Sequence, residues 1–228
     1  MGRTLGQNQF EYNSLLKNFK QIKSDKILKA NSASSGDKNT VMSRLMNLTL
    51  EESGISADLI SMEEINTSHL INKVLDQLCH KYKISRSSFH LFDIPNIKGD
   101  QKQVEHLFKQ VIKNAILYRS SQALEIIISS EYINDQLVFS IQDNGIGIEK
   151  DQLKDIFKPF NRGVIKNECS GVGLGLSISR QIVNFHHGEI WAQSLGRSYG
   201  STFYISLPIE AKQVLSVKHA FAGQMRGG

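Results

Sequence analysis

The chain has little cysteine and little proline: two and three residues among 228. Cys79 and Cys169 lie far apart in sequence, which excludes a disulfide framework and lacks the paired spacing of a zinc site. A reducing, cytoplasmic setting is the expectation. No apolar run approaches the roughly 20 residues that a membrane span needs. The opening MGRTLGQNQF has no apolar stretch of the kind a signal peptide carries. Neither absence excludes further segments in a longer parent protein. Charge of one sign is also scarce, with 27 Lys and Arg against 22 Asp and Glu, a formal net charge of +5. That excess permits an anionic partner and gives no reason to expect nucleic acid. Hydrophobic residues make up 40% of the chain. A packed core follows, wholesale disorder does not, and the length suits one domain with an extension.

Residues 10–30 place Leu15, Leu16, Phe19 and Ile22 at helical spacing, and residues 40–53 resume it with Val41, Leu45 and Leu48. A loop of Ser, Gly and Asn over 31–39 separates them, so an antiparallel helical hairpin is expected. After Gly54 the texture changes. LISMEEI reads as a short strand. Thr67 and Ser68 offer N-caps to a helix through about residue 82, with Leu70, Ile71, Val74, Leu75 and Leu78 on one stripe. SSFHLFDI reads as a strand, NIKGD as a turn, and 101–118 as a helix. ALEIIISSEYI and QLVFSIQ read as a hairpin turning at Asn134-Asp135. A short helix over 150–156, a longer one over about 173–186 and two closing strands, GEIWAQSL and STFYISLPI, follow. His186 and His187, before Gly188, read as a C-terminal cap favourably placed in the helix dipole. Strands arriving as adjacent pairs point to an α+β domain, a two-layer α/β sandwich with helices on one face of a mixed sheet.

Four stretches carry chemistry. DNGIGI, at a strand end, sets Asp143 beside Gly145 and Gly147. A carboxylate there can accept from the exocyclic amine of adenine, while the glycines let a flat ring approach the backbone; a plain Asp-Asn-Gly turn fits the same residues. GVGLGLSIS alternates Gly171, Gly173 and Gly175 into a helix, where backbone amides can bind phosphate or the glycines can simply allow close packing. QVIKNAILY places Gln110 and Asn114 on one helix face, an amide oxygen of the latter suiting magnesium, with Lys113 and Arg119 nearby to neutralise phosphate. IFKPFNRG supplies an aromatic anchor, Phe157 and Phe160, at the foot of a loop over 161–172 that can fold over a ligand. Arg162 is a candidate phosphate contact.

In this order the stretches resemble the ATP-binding domain of sensor histidine kinases, in the superfamily shared with DNA gyrase, a heat-shock chaperone and MutL. KNAILY looks like the N box, DNGIGI the first glycine box, IFKPF the F box and GVGLGLSIS the second glycine box, and the likeness covers about residues 40–210. It implies a Bergerat-type ATP-binding fold over residues 56–212, a partial dimerisation hairpin over 1–55 and a disordered tail over 213–228. It further implies Asp143 on the adenine amine and Asn114 on Mg2+. Gly145, Gly147, Gly171, Gly173 and Gly175 would shape the pocket and lid, and Lys113, Tyr118, Arg162 and Leu176 would complete the nucleotide contacts. ATP and a response regulator are the implied partners, with a homodimer formed through the first helices.

Two departures stand out. Gln110 occupies a position where gyrase-like members carry a Glu that activates water. A carboxamide cannot act as a general base at neutral pH, so slow hydrolysis and a γ-phosphate kept for an acceptor are expected. Leu117 stands where the family carries Lys. No His precedes His69, so no acceptor histidine is evident; it lies upstream, has been lost, or sits on another chain. His69 and His106 read as ordinary helix residues.

Overall fold

The computed structural model describes residues 60–161 and 173–208. The expected hairpin over 1–55, the tail over 213–228, Arg162 and Gly171 lie outside them. The described residues fall within the expected 56–212 domain. In chain order they form β1 (Glu63–Ile65), α1 (Thr67–Tyr82), a 3-10 turn (Arg86–Ser88), β2 (Phe89–Phe92), β3 (Ile97–Gly99), α2 (Gln101–Leu117), β4 (Ile126–Ile133), β5 (Gln136–Asp143), α3 (Gly175–Phe185), β6 (Glu189–Gln193) and β7 (Ser201–Pro208). No helix among the described residues is long and apolar enough to cross a membrane.

The main sheet has the order β2-β4-β5-β7-β6. β2 runs parallel to β4 and every other neighbouring pair is antiparallel, so the sheet is mixed. β1 and β3 pair separately. One layer of three helices packs on the sheet. The stripe expected on α1 is buried in full, and α2 buries Val104, Leu107, Phe108, Val111, Ile112, Ala115 and Ile116. Phe108 meets Phe139 of β5 edge to face, with ring centroids 5.3 Å apart, a favoured aromatic geometry. The hairpin turn forms at Asn134 and Asp135, both at positive φ, which a two-residue turn of matching twist requires.

Four local expectations are corrected. Asn66, one residue before Thr67, caps α1 by accepting from the His69 amide at 2.9 Å; the Thr67 hydroxyl donates instead to the Ile65 carbonyl. NIKGD is not only a turn, because β3 lies inside it and pairs with β1. Residues 150–156 form overlapping turns rather than a helix, closed mainly by three-residue bonds such as Gln152 to Glu149 and Asp155 to Gln152. Pro159 disfavours helix just before it, and the Asn161 side chain takes the Asp155 carbonyl at 2.8 Å. At the end of α3, His187 holds the left-handed position with φ 57, and the amides of His187 and Gly188 return to the carbonyls of Asn184 and Val183, a Schellman closure. His186 is no surface cation there. It is buried, donates from Nδ1 to the Ile182 carbonyl at 2.8 Å and accepts the Asp100 amide on Nε2 at 3.0 Å, which a doubly protonated ring cannot do.

Candidate nucleotide site

Asp143 ends β5, the middle strand of the sheet, opposite Ile126 on one side and Ser201 on the other. Only 7% of the residue is exposed. Burial pushes its carboxyl up to about 6, against a downward pull from the backbone hydrogen bonds of Gly145 and Ser201. Oδ1 accepts the Gly145 amide at 2.8 Å. A buried carboxylate at a strand end thus has one oxygen committed to its own turn.

The turn after it is tied down from three sides. Asn144 accepts the Glu125 amide at 3.0 Å and donates to the Ala123 carbonyl at 2.8 Å. The Ile146 amide reaches the Tyr118 carbonyl at 3.0 Å. A Cβ on Gly145 would lie 2.5 Å from that same carbonyl oxygen and 2.7 Å from Asp143 Oδ1, so only glycine lets the end of α2 close on the turn. On the far side, the loop 194–200 wraps the turn: Ser198 donates to the Ile146 carbonyl at 2.7 Å and Gly200 to that of Gly145 at 3.1 Å. The Ser194 hydroxyl accepts the Ile148 amide at 3.0 Å and donates to the Gly200 carbonyl at 2.6 Å. Gly147 has φ 75, and a Cβ there would fall inside the Gly196 carbonyl.

α2 presents two flanks. Toward α1, Lys73 pairs with Glu105 and Gln77 with Lys109, each at 2.9 Å. Lys113 continues that row one turn on. Its pKa is pushed below the ordinary lysine value by burial first and then by the Lys81 and Lys109 ammonium groups. Toward α3 the same helix offers Gln110, whose Oε1 lies 2.8 Å from where a Cβ on Gly175 would stand, and His106, 3.0 Å from the Gln110 amide nitrogen. Asn114 lies one turn beyond Gln110, half-buried, on the same face by helical spacing. Lys113 thus stands within the field of Lys81 and Lys109, while Gln110 and Gly175 are brought together.

The start of α3 has no side-chain cap; Ser177 instead donates to the Leu174 carbonyl at 2.8 Å. A helix start of this kind points its first-turn amides outward, where an anion can be received. Leu176 is half-buried against the core. The aromatic anchor is real: Phe157 is buried, edge-on to Phe203 at 6.3 Å, with the Arg180 guanidinium 4.6 Å from its ring centroid. The Phe160 amide donates to the Gly173 carbonyl at 2.8 Å. Gly173, at φ 79, has no room for a Cβ beside Phe160 and Asn161. Phe160 and Gly173, which flank the 161–172 loop in sequence, thus meet at one point.

Sequence reasoning missed the 194–200 loop, the Tyr118 carbonyl and Asn144. GRSYG, between the two closing strands, has the Gly and Ser content of a turn, but nothing in it says which surface it lies on. The glycine cradle and buried acceptor fit a flat base with an exocyclic amine, and the uncapped helix start with Asn114 fits a phosphate chain carrying a hard cation.

Residues 99–211 match the family model for histidine kinase-, DNA gyrase B- and HSP90-like ATPases. Cyanobacterial phytochrome A of a Nostoc species is 31% identical over 175 residues, covering 76% of this chain and 23% of that protein. Sensor protein kinase WalK of Staphylococcus aureus is 33% identical over 178 residues, covering 74% of this chain and 42% of that sequence. The chain thus spans well under half the length of these relatives. Among solved structures, the nucleotide-free catalytic domain of histidine kinase ThkA overlays with a TM-score of 0.52 at 26% identity, over 65% of this chain and 95% of that domain. A mycobacterial sensor histidine kinase, MprB, shares the fold with a TM-score of 0.56 at 22% identity, covering 65% of this chain and 97% of that one. Fold and family match together define the class as an ATPase-type domain. Through residues 99–211 the chain belongs to the family of histidine kinase-, DNA gyrase B- and HSP90-like ATPases, within its sensor-histidine-kinase branch.

Proposed function

We propose that the chain is the catalytic part of a sensor histidine kinase, which binds Mg-ATP and passes the γ-phosphate to a histidine in two-component signalling. The observation that carries the reading is the buried Asp143 carboxylate above a glycine turn laced to both α2 and the 194–200 loop. Asp143 selects the base by accepting from its exocyclic amine. Gly145 and Gly147 keep the turn flat beneath it. Asn114 is the expected magnesium ligand, and bound magnesium would neutralise charge on the phosphates. The amides at the start of α3 receive the phosphate chain, with Gly171, Gly173, Gly175 and Leu176 shaping that end and Arg162 reaching it. Tyr118 acts through its backbone carbonyl. Gln110 cannot take a proton from water, so transfer to an imidazole nitrogen, with ADP as the leaving group, is favoured over hydrolysis. Residues 1–55 would supply a homodimer contact, residues 213–228 a tail, and a response regulator would receive the phosphoryl group, all in the cytoplasm.

The test mixes the chain with γ-labelled ATP and a separate helical hairpin carrying an acceptor histidine. Label on that histidine, stable to base and lost in acid, is the expected result. Nucleotide binding without any label would leave the second reading, an ATP-binding regulatory module. That reading is favoured by Leu117 at a position where Lys is expected and by Lys113 standing on the α1 flank.

A further inference from the structure

His106 has no part in the reading above, yet it touches the site. It lies one turn before Gln110 on the α3-facing flank of α2, half-buried, with Nε2 at 3.0 Å from Gln110 Nε2. Two nitrogens this close form a hydrogen bond only if one carries no hydrogen. The carboxamide nitrogen always carries two, so the imidazole nitrogen accepts and the ring proton sits on Nδ1. Burial, reinforced by the Lys109 and Lys113 charges, holds His106 below the ordinary histidine value, which favours the neutral ring this contact needs.

The contact fixes more than a distance. With its nitrogen committed to His106, the Gln110 carboxamide turns its oxygen the other way. That oxygen lies over Gly175, 2.8 Å from where a Cβ on the first residue of α3 would stand. A rotation of the amide by half a turn would put two N–H donors there instead. The two ends suit different ligands: an oxygen acceptor suits magnesium and its waters, whereas an NH2 group suits phosphate oxygens.

We propose that His106 is a positioning residue, which through its hydrogen bond to Gln110 Nε2 aims Gln110 Oε1 at the start of α3 and so gives the phosphate end of the site an acceptor rather than a donor. The inference rests on the reading of this site as one for a magnesium nucleotide. His106 itself contacts no nucleotide group.

Three substitutions separate the possibilities. His106→Gln keeps an acceptor, His106→Lys offers only donors, and His106→Ala offers neither. The first readout needs no nucleotide: the side-chain amide 15N–1H resonances of Gln110, assigned by their loss in Gln110→Glu. The second is the ratio of affinities for a non-hydrolysable ATP analogue with magnesium and with EDTA. In His106→Ala and His106→Lys the Gln110 resonances should move toward those of a free carboxamide. The magnesium-dependent part of the affinity should fall roughly two- to tenfold, the span expected for one hydrogen bond. His106→Gln should restore both. Gln110 resonances unmoved by His106→Ala, or a Lys variant equal to the Gln variant in both readouts, would overturn the proposal. So would a loss of thermal stability alike in all three with the magnesium ratio unchanged, the signature of a merely structural residue. Should the unsubstituted chain bind no nucleotide at all, the proposed function falls, and the resonances alone still decide whether His106 orients Gln110.

Discussion

At the base end of the site a Cβ on Gly147 would run into the Gly196 carbonyl, and one on Gly145 would stand 2.5 Å from the Tyr118 carbonyl. At the phosphate end, among the described residues, a Cβ on Gly175 would meet only the tip of Gln110, at 2.8 Å. Backbone pressed on backbone cannot yield without moving two segments, whereas a carboxamide can swing on its own rotamers. Backbone therefore sets the crowding at Gly145 and Gly147, as it does at Gly173 beside Phe160 and Asn161, whereas at Gly175 a side chain sets it. A site built this way can hold one base rigidly while the groups around the phosphates adjust.

Gly147→Ala attacks the rigid end hardest. It adds a Cβ where none fits at a residue with φ 75, so a loss on the order of 3 kcal/mol or outright failure to fold is expected, read from the urea midpoint.

Asp143→Asn comes next and should act in two directions. The folded-state value near 6 stands above the ordinary 3.8. Raised in the fold, this carboxyl adds stability below the ordinary value, and that stability is lost as pH rises through about 6. At neutral pH the ionised group costs about 3 kcal/mol. The ligand-free Asn variant should be more stable than the unsubstituted chain at pH 7, by up to that amount, with the gap closing toward pH 4. Adenine-nucleotide binding should vanish in the variant. In the unsubstituted chain it should weaken as pH falls through about 6, because the protonated carboxyl is a poorer acceptor. Parallel pH dependence of stability in both proteins would remove burial of Asp143 as the cause.

Ser194→Ala removes a hydroxyl that bonds the Ile148 and Gly196 amides and the Gly200 carbonyl. A loss of about 1–3 kcal/mol is expected, together with faster hydrogen exchange at Ile148. Gly175→Ala should have the smallest effect on the fold, a gain of up to about 1 kcal/mol from helix propensity. It should nevertheless displace Gln110 and weaken magnesium-nucleotide binding. If it destabilised the chain as much as Gly147→Ala, the contrast between the two ends would be lost.

Much of the architecture was legible because period and punctuation agree with it. α1, α2 and the β4–β5 hairpin lie within a few residues of their expected bounds, since an apolar stripe at helical spacing and an Asn-Asp turn each admit few alternatives. β3 was not legible: three residues are too short for alternation to show, and only pairing with β1 makes them a strand. The turns at 150–156 carry helix-compatible residues, and what stops them is Pro159 and the Asn161 side chain. In the site, Asp143 and the glycines announced themselves by residue type. Lys113 is one residue from Asn114 in sequence, yet its row belongs with Lys73–Glu105 and Gln77–Lys109 on the α1 flank.

Sequence by itself determined which residues could do chemistry here: a lone acid among glycines after a strand, an Asn on an amphipathic helix, and a glycine run opening another. Those identities follow from side-chain chemistry and local geometry, which neighbouring residues fix. Tertiary structure alone decided which flank of α2 faces α3, that loop 194–200 clamps the Asp143 turn, and that Gln110 stands over Gly175. Those relations join segments far apart along the chain, and only burial of the shared core brings them within hydrogen-bonding distance.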